Sequence, residues 1–421
     1  MAPRYEVDVL VCGGGPAGVG AAIAAARAGA KTLLVERYGF FGGVASFCPG
    51  MPMNQMRPTG RARGAVHELL IDRLKSYGPR AISVVDHAVV TNNEYLKVAA
   101  MDVLDAVGAA YLLHSMVAGA LVEGARVAGV RLATKEGPAE IRAKVTVDCT
   151  GDADAAFHAG AETMKGGPEG FLSPMTLGLL VTGFDVQAAR EFQKGGGMGR
   201  VLREGRAKYP LLPQSMGFEL GPFPIEGCLG INHSGTKTRG VLDATHPEDM
   251  TEAERFSRRQ ALQMVEALRE FGGPTFQNIQ LAAAGPQPGV RETRRVKGLY
   301  VLTEEDALEG RRFQDAVAWR SGFLDIGFVR FQKMKVHDVP YRAIVAEKMD
   351  GLLMAGRCIS ATHVAASAGK SMGNCMATGH AAGQAAALCA KQGCRPRDLE
   401  VRALQDALAA DGVPLDRCPA T

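Results

Sequence analysis

Near its N-terminus the 421-residue chain carries Val7-Asp8-Val9-Leu10-Val11-Cys12-Gly13-Gly14-Gly15-Pro16-Ala17-Gly18. Residues 7–11 are almost all aliphatic, which is typical of a strand buried inside a parallel sheet. The three glycines end that strand, and Pro16 stands where a helix accepts a residue without an N–H group. A helix of small residues over 17–28 and a second aliphatic strand over 32–36 follow. This order predicts a βαβ unit.

Within this unit, Gly13, Gly15 and Gly18 have the G-x-G-x-x-G spacing of dinucleotide-binding turns. Because the chain has 52 glycines, roughly 0.8 matches to this spacing are expected by chance, so its position between strand and helix carries the inference. Gly13 would permit the tight turn, Gly15 the approach of a pyrophosphate, and Gly18 close packing of helix and strand. The helix N-terminus would meet the phosphate charge, and Glu36 would accept hydrogen bonds from ribose hydroxyls. We therefore expect a Rossmann-type domain.

Composition excludes several classes of protein. The net charge of +4 is too small to indicate nucleic acid as the main partner, and 47% hydrophobic with 22% charged residues is an ordinary globular balance. The nine cysteines include no C-x-x-C pair, so no metal site is expected. The apolar stretch over 7–35 is interrupted by Gly-Gly-Gly-Pro and Arg27 and has no cationic leader. Neither a membrane helix nor a secretory signal is therefore expected, and the predicted location is cytoplasmic.

The rest of the chain divides into segments of different character. A three-stranded β-meander is predicted to run into Val147-Asp148-Cys149-Thr150-Gly151-Asp152, a strand with a tight turn. The stretch over 166–336 is punctuated by glycine and proline and is predicted to be a mixed α+β substrate domain inserted into the first domain. Its clearest element is an amphipathic helix over 251–271, with Thr251 and Glu254 as a capping box.

The predicted fold class is α/β, with a Rossmann-type domain that contains a parallel sheet and the meander, plus the inserted domain. Further helices are expected over 61–77, 93–107, 374–391 and 398–410, and further strands over 109–113, 116–121, 125–134, 139–149 and 352–355. The predicted domains are 1–165 (cofactor-binding, first part), 166–336 (substrate or cap domain), 337–395 (cofactor-binding, second part) and 396–421 (helical tail).

A glycine pair, Gly42-Gly43, follows Val35-Glu36-Arg37, as it does in FAD-containing oxidoreductases. The chain after Glu36 must return across the cofactor, and only glycine leaves room for it. Further matching segments are 147–152, 290–298, 302–306, 338–342, 353–363 and 375–383. Together these motifs resemble the FAD-dependent oxidoreductase family, a branch of glutathione-reductase-like flavoproteins.

The resemblance implies one FAD, held without a covalent bond. In such folds the helix that begins near Asn374 points its N-terminus at the pyrimidine edge of the flavin, where its partial positive charge stabilises the reduced anion. The residues expected to contact FAD are Gly13, Gly15, Pro16, Ala17, Gly18, Glu36, Arg37, Gly42, Gly43, Val117, Thr150, Gly151, Asp152, Gly356, Arg357, Asn374, Met376 and Ala377.

Three side chains are expected at the substrate. His363, which follows the last cofactor strand, is the candidate acid–base residue, and Arg291 and Lys370 are candidate donors to an anion or oxyanion. The family's motif has Arg where this chain has Lys370, which keeps the positive charge but loses the bidentate fork. Weaker candidates are His337, His233 and His380.

The chain has one nucleotide-binding fingerprint, so we expect NADPH to reduce the enzyme slowly or not at all. One substrate would exchange a hydride with flavin N5, and oxygen, a quinone or a carrier would take the electrons. Three functions remain open: a dehydrogenase or oxidase of an alcohol, amine or saturated carbon, a reductase of an activated C=C bond, and a non-redox protein with structural FAD. The expected partner is a small-molecule substrate, with no nucleic acid and no membrane, and the chain is compatible with a homo-oligomer.

Overall fold

The computed structural model describes residues 5–85, 88–219, 223–231, 234–327 and 331–415, so the candidate His233 lies outside the described residues. The strands are β1 (Tyr5–Cys12), β2 (Thr32–Val35), β3 (Met53–Asn54), β4 (Ile82–Val85), β5 (Ala88–Thr91), β6 (Ala110–Leu112), β7 (Met116–Glu123), β8 (Arg126–Thr134), β9 (Gly137–Asp148), β10 (Thr163–Lys165), β11 (Leu179–Thr182), β12 (Leu229–Ile231), β13 (Gln280–Ala284), β14 (Arg294–Val296), β15 (Ala316–Arg320), β16 (Phe323–Asp325), β17 (Phe331–Lys333), β18 (His337–Pro340) and β19 (Leu352–Met354). The helices are α1 (Pro16–Arg27), α2 (Val44–Phe47), α3 (Ala65–Ser76), α4 (Asn93–Ala106), α5 (Asp154–His158), α6 (Val186–Lys194), α7 (Gly197–Gly205), α8 (Pro247–Phe271), α9 (Glu304–Glu309), α10 (His363–Gly369), α11 (Met372–Gln392) and α12 (Val401–Ala410).

The central sheet is built around β1, whose residues from Val9 to Cys12 are fully buried. Strands β6, β2, β1, β9 and β19 lie side by side in this order, and all are parallel. The first half of β9 pairs antiparallel with β8, and its residues 146–148 pair with β19. Strand β7 pairs antiparallel with β8 and completes the meander. The predicted parallel sheet with a three-stranded meander is therefore confirmed.

Helices α1 and α11 pack against each other with their backbones almost in contact. A Cβ atom on Gly379 would overlap the carbonyl oxygen of Ala17, and one on Gly383 would overlap that of Ala21. Larger side chains would force the helices apart, because protein interiors leave no spare volume. This packing brings the first residues of both helices, Pro16 and Met372, to one cavity.

The segment between β10 and β14 has a hydrophobic core of its own. Strands β12, β11 and β13 form an antiparallel sheet, and α6, α7 and α8 contribute buried residues to the same core. This core draws on residues from Leu177 to Ile279, whereas Val296 and Val317 belong to the core of the central sheet. The segment thus has a core distinct from that of the central sheet, and the bounds 166–336 for an inserted domain stay a prediction.

Helix α8 begins one turn before the predicted position, so the predicted capping box of Thr251 and Glu254 is wrong. The helix starts at Pro247, and Glu248 and Asp249 lie in its first turn, where their charge suits the positive helix end. Thr251 lies inside the helix, and its hydroxyl donates to Pro247 O (2.7 Å). The other predicted helices are present, with ends that differ from the prediction by a few residues.

Candidate cofactor and substrate site

A cavity of about 470 Å³ lies at the carboxyl ends of β1, β2 and β9. One end of it, called here the near end, lies between the turn after β1 and Glu36. The other, called the far end, is lined by residues of the α10–α11 loop, the segment 289–291 and the hairpin of β16 and β17. Ligands of open α/β sheets bind outside the carboxyl ends of the strands, which is the position of this cavity.

Three glycines shape the turn after β1, each in a different way. Gly13 has a φ of +94°, and a Cβ there would lie 2.7 Å from Cys149 O. A Cβ on Gly18 would overlap Gly13 O, so Gly18 is required for α1 to pack on the turn. A Cβ on Gly15 would meet no protein atom within 4 Å, and Gly15 lines the cavity. The space beside Gly15 is therefore open to a ligand, whereas the spaces beside Gly13 and Gly18 are filled by other parts of the protein.

The N-terminus of α1 opens on the same space. Its cap residue, Gly15, offers no side-chain hydrogen bond, Pro16 follows, and the first turn holds no acidic residue. Both Pro16 and Ala17 line the cavity. The N–H groups of the first turn and the positive end of the helix are thus available to an anion, which is the arrangement that binds phosphate groups.

Glu36 follows β2 beside this turn, lines the cavity and is only 6% exposed. Its Oε2 accepts a hydrogen bond from Gly14 N (2.6 Å), and its Oε1 accepts one from Tyr38 N (2.8 Å). Burial raises the pKa of Glu36, although both hydrogen bonds act against this. Because the backbone fixes both oxygens, the carboxylate is held ready to accept further hydrogen bonds, as a ribose-binding carboxylate does.

A second carboxylate, the partly buried Asp152, lies across the near end in the turn after β9. Its Oδ1 accepts hydrogen bonds from Arg357 Nη2 (2.8 Å) and Thr293 Oγ1 (2.7 Å). Burial acts to raise the pKa of Asp152, but Arg357, Thr293 and Arg37 together lower it below the ordinary value. The carboxylate is therefore ionised at neutral pH and ties the turn to the loop after β19.

Most residues predicted to contact FAD are brought together here. Those that line the cavity are Gly13, Gly15, Pro16, Ala17, Glu36, Arg37, Gly43, Thr150, Gly151, Asp152, Gly356 and Arg357. Those that lie outside its lining are Gly18, Gly42, Val117, Asn374, Met376 and Ala377. Gly42 N donates to Gly14 O (2.8 Å), and Asn374 Oδ1 accepts from Arg63 Nη1 (2.7 Å), so these two support the wall from behind. From α11, Met372 and Cys375 line the cavity instead.

At the far end, the two predicted donors Arg291 and Lys370 meet on one carboxylate, Asp325. Asp325 Oδ2 lies 2.8 Å from Arg291 Nη1 and 3.0 Å from Lys370 Nζ. Lys370 Nζ also donates to Asp325 O (2.6 Å), and Arg291 Nε donates to Thr176 Oγ1 (3.4 Å). All four residues line the cavity. Burial lowers the pKa of Lys370 to about 8; Arg291 acts in the same direction and Asp325 opposes it.

A small hydrophobic cluster holds this arrangement in place. Ala307 of α9, Leu324 of β16 and Ala368 of α10 are buried together in it. Leu324 immediately precedes Asp325, and Ala368 lies two residues before Lys370. The packing of α9, α10 and the hairpin therefore sets the distance between the carboxylate and the amine.

His363 is not brought to the cavity. It is the first residue of α10, and its Nδ1 lies 2.7 Å from Glu292 Oε1. Its ring contacts Phe171 edge to face, and a Cβ on Gly167 would lie 2.6 Å from its Cδ2. The side chain is 8% exposed and lies outside the cavity lining. His363 is thus connected to Glu292, the residue next to Arg291, rather than to the cavity. His337 and His380 also lie outside the lining.

The far end also includes two aromatic residues that no sequence motif indicated. Phe323 and Phe331 stack with ring centroids 4.5 Å apart, line the cavity and are 39% and 62% exposed.

Two titratable residues near Arg291 have strongly shifted pKa values. Burial raises the pKa of Glu219 to about 7, and burial and Arg291 lower the pKa of Lys237 to about 8. Glu219 and Lys237 belong to the inserted unit and lie outside the lining. They approach Arg291 only through tertiary packing, which leaves no local pattern in the sequence.

The described residues provide neither a metal centre nor a membrane span. No three His, Cys, Asp or Glu side chains among them are grouped so that they could hold a metal ion. Across the same parts of the chain, no helix has the length and apolar character needed to cross a membrane.

Residues 8–408 match the model of the family described as FAD dependent oxidoreductase. The chain belongs to this family. It is an FAD-dependent oxidoreductase, and FAD is the cofactor that fits the open N-terminus of α1 and the fixed carboxylate of Glu36. The resemblance predicted from motifs along the chain is confirmed, and so is the predicted cofactor.

Known proteins are similar to this oxidoreductase at low identity. Thiamine thiazole synthase of Aeropyrum pernix is 31% identical over 180 residues, which are 41% of this chain and 62% of that protein. The chain spans less than two thirds of the length of the curated relatives it matches. The structure of CabE, an aromatic hydroxylase from angucycline biosynthesis, matches with a TM-score of 0.51 at 14% identity. The match covers 96% of this chain and 68% of the CabE chain. The structure of the flavin-dependent brominase Bmp2 matches with a TM-score of 0.50 at 13% identity, and the match covers 96% of this chain and 83% of the Bmp2 chain. At these identities the two structures establish the fold alone.

Proposed function

We propose that this oxidoreductase transfers a hydride between a small organic substrate and FAD, as a dehydrogenase or oxidase of an alcohol, an amine or a saturated carbon. The observation that carries the proposal is the continuity of the cavity. The dinucleotide-binding turn and the cluster of Arg291, Asp325 and Lys370 line the same space. A polar group bound at the far end would therefore lie beside a cofactor bound at the near end.

The near end fits FAD through backbone groups and one carboxylate. Glu36 would accept hydrogen bonds from the ribose, and the first turn of α1 would bind the pyrophosphate. The N-terminus of α11, whose Met372 lines the cavity, would stabilise negative charge on the flavin. FAD bound there supplies a two-electron carrier that accepts or donates a hydride. The space beside Gly15, free of protein atoms within 4 Å of an added Cβ, supports this fit.

At the far end, Arg291 and Lys370 would bind a carboxylate, carbonyl or similar polar group of the substrate. Asp325 holds both donors in position and leaves the cluster with a formal charge of +1, from two cations and one carboxylate. Such a charge favours one anionic or strongly polar group over a polyanion. The stacked Phe323 and Phe331 would cover the apolar part of the substrate and exclude water, which strengthens the polar contacts.

The test is anaerobic bleaching of the flavin absorbance of the holoenzyme by a panel of alcohols, amines, 2-hydroxy acids and amino acids. At least one compound is expected to bleach the wild type. Arg291→Ala should keep its FAD and lower the bleaching rate roughly 10²–10³-fold, the scale for losing one positioned donor. The control is Arg255→Ala, a change of an exposed arginine on α8, which should leave the rate unchanged.

Two outcomes would contradict the proposal. If Arg291→Ala bleaches as fast as the wild type, Arg291 does not contact the substrate. If no donor bleaches the wild type, and an unsaturated acid instead oxidises the photoreduced holoenzyme, the enzyme is a reductase of an activated C=C bond. Stopped-flow reoxidation with oxygen or a soluble quinone then identifies the class of electron acceptor.

His363 would support this cluster from behind through Glu292. The direct acid–base role predicted from the sequence requires a loss of roughly 10²–10⁴-fold in His363→Ala, with no recovery in His363→Gln. A positioning role requires a smaller loss, which His363→Gln largely restores because the amide keeps a hydrogen bond to Glu292. Bleaching rates of both variants distinguish the two roles.

A further inference from the structure

The described residues that line the cavity include few groups able to exchange a proton near neutral pH. The near-end charges are held in hydrogen bonds or ion pairs, as described above for Glu36 and Asp152. Burial raises the pKa of the Cys48 thiol to about 12 and that of Cys375 to about 11. Lys370, whose pKa burial lowers to about 8, is the lining group best placed for proton transfer at the far end.

The position of the Lys370 amine allows it to lose a proton without losing its place. Lys370 follows α10 directly, and its Nζ contacts Asp325 O (2.6 Å), Asp325 Oδ2 (3.0 Å) and Ser367 O (3.4 Å). An ammonium group has three N–H donors, and a neutral amine has two. The neutral amine can therefore keep both short bonds to Asp325 and give up only the long contact with Ser367.

The groups that face Lys370 come from three other elements. Arg291 approaches from the segment after β13 and disfavours the ammonium form, while Asp325 of β16 favours it. Cys375 of α11 has a smaller influence in the same direction as Asp325. Arg291 and Asp325, which contact each other beside the amine, thus act on its pKa in opposite directions, and burial is the largest cause of the lowered value.

We propose that Lys370 is the acid–base residue of this enzyme, and that its neutral amine takes the proton of the substrate's hydroxyl or amino group during oxidation. The inference rests on the proposed function. The O–H or N–H bond breaks and an Nζ–H bond forms, while the C–H electron pair leaves the neighbouring carbon as hydride and reduces FAD. The substrate loses two electrons and becomes a carbonyl or imine. Asp325 stabilises the ammonium formed, and the proton then passes to solvent.

The decisive variant is Lys370→Arg, because arginine keeps the positive charge but does not lose its proton in proteins. If Lys370 takes the proton, Lys370→Arg and Lys370→Ala should both lower the anaerobic bleaching rate roughly 10²–10⁴-fold, with FAD content unchanged. Ethylamine in the buffer should restore part of the rate in Lys370→Ala only. The wild-type rate should rise with pH, with the midpoint of the rise near pH 8, and the variants should lack this rise.

The matched control is Lys237→Arg. Lys237 also has a pKa lowered to about 8, but it lies outside the cavity lining, so its variant should keep the wild-type rate and pH profile. Lys370→Arg with a wild-type rate and pH profile would overturn the acid–base role and leave the proposed oxidation intact. A wild type that no member of the panel bleaches would instead remove the proposed function.

A measurement without substrate tests Lys370 separately. Acetic anhydride labels neutral amines only, and peptide mass spectrometry of the labelled holoenzyme gives the extent of modification at each lysine. Labelling of Lys370 should be half-maximal near pH 8, as for Lys237, whereas that of the exposed Lys208, whose pKa is raised by its hydrogen bond to Glu270, should still be rising at pH 10. Labelling of Lys370 that begins only above pH 10 would overturn the inference whatever the panel shows.

Discussion

At the near end of the cavity, the groups that fit phosphate and ribose are neighbours in sequence: Gly14 and Glu36 are 22 residues apart and belong to one βαβ unit. At the far end, Asp325 joins Arg291, 34 residues before it, to Lys370, 45 residues after it. The near end is made mostly of backbone groups, and the far end mostly of charged side chains. The turn after β1 and Glu36 thus take their geometry from the local chain. Asp152 with Arg357 at the near end, and the whole cluster at the far end, depend on the packing of distant elements.

This difference predicts different responses to mutation. A substitution at the near end that is compatible with the local backbone conformation should alter cofactor binding and leave the fold intact. A change at the far end should alter reactivity or stability, because the cluster depends on the packing of Ala307, Leu324 and Ala368.

The largest effect is expected for Gly15→Val. Gly15 has an ordinary φ of −69°, and an added Cβ meets no protein atom, so the fold should tolerate valine. The side chain would instead occupy space of the bound cofactor, and such overpacking costs about 1–3 kcal/mol, roughly a 5- to 150-fold loss of affinity. We expect folded, colourless protein, measured as the ratio of flavin to protein absorbance beside the circular dichroism spectrum.

Gly18→Val, three residues further along the chain, is the contrasting change. Its Cβ would overlap Gly13 O, so this variant should fail to fold rather than fold without FAD. Gly15→Ala should lose less FAD than Gly15→Val. A Gly15→Val protein with full flavin content would show that the pyrophosphate does not pass this residue, and the assignment of the near end would be wrong.

The same contrast explains what the sequence could predict. The turn from Gly13 to Gly18 and the carboxylate of Glu36 depend on strand periodicity and turn residues within about 30 positions, so local rules suffice. The parallel sheet follows from the same periodicity. Asp325 follows two apolar residues in a short hairpin strand, and nothing in that pattern indicates that it would meet two cations.

His363 shows why a motif was insufficient at the far end. It follows the last cofactor strand, but Thr362 caps α10 directly before it, accepting a hydrogen bond from Ala365 N (3.5 Å). The helix start turns the imidazole toward Glu292 instead of the cavity. The direction of a side chain at a helix start depends on its packing partners, which lie far away in sequence.

A smaller effect is expected from acid at His337 of β18, which is 2% exposed and lies outside the cavity lining. Burial, and next Arg320, lower its pKa from 6.5 to about 4. Between these two pH values the unfolded chain binds a proton and the folded chain does not, so stability falls as pH drops from 6.5 to 4. Linkage gives a loss of about 3 kcal/mol from this residue. Urea unfolding midpoints of the holoenzyme at pH 7 and pH 4.5 measure it.

His337→Gln should remove most of that pH dependence, because glutamine does not titrate. The comparison variant is His246→Gln, whose side chain is 61% exposed and should leave the pH dependence as it is in the wild type. If His337→Gln shows the same loss between pH 7 and pH 4.5 as the wild type, the buried histidine is not the cause. His67, also fully buried with a lowered pKa, would then be the next residue to change.

The smallest effect is expected at the N-terminal cap of α9, where a local interaction supports the far end. Thr303 Oγ1 accepts from Asp306 N (3.3 Å), and Asp306 Oδ2 accepts from Thr303 N (2.8 Å), which together cap α9. Thr303→Ala should lower the free energy of unfolding by about 1 kcal/mol, the usual value of a lost cap. Thr251→Ala, inside α8, should change it by less than about 0.5 kcal/mol, since Thr251 caps nothing there. Equal losses in the two variants would mean that the helix ends are not placed as described. Since α9 contributes Ala307 to the cluster that positions Asp325, a loss confined to Thr303→Ala would also show that even the far end depends in part on short-range sequence.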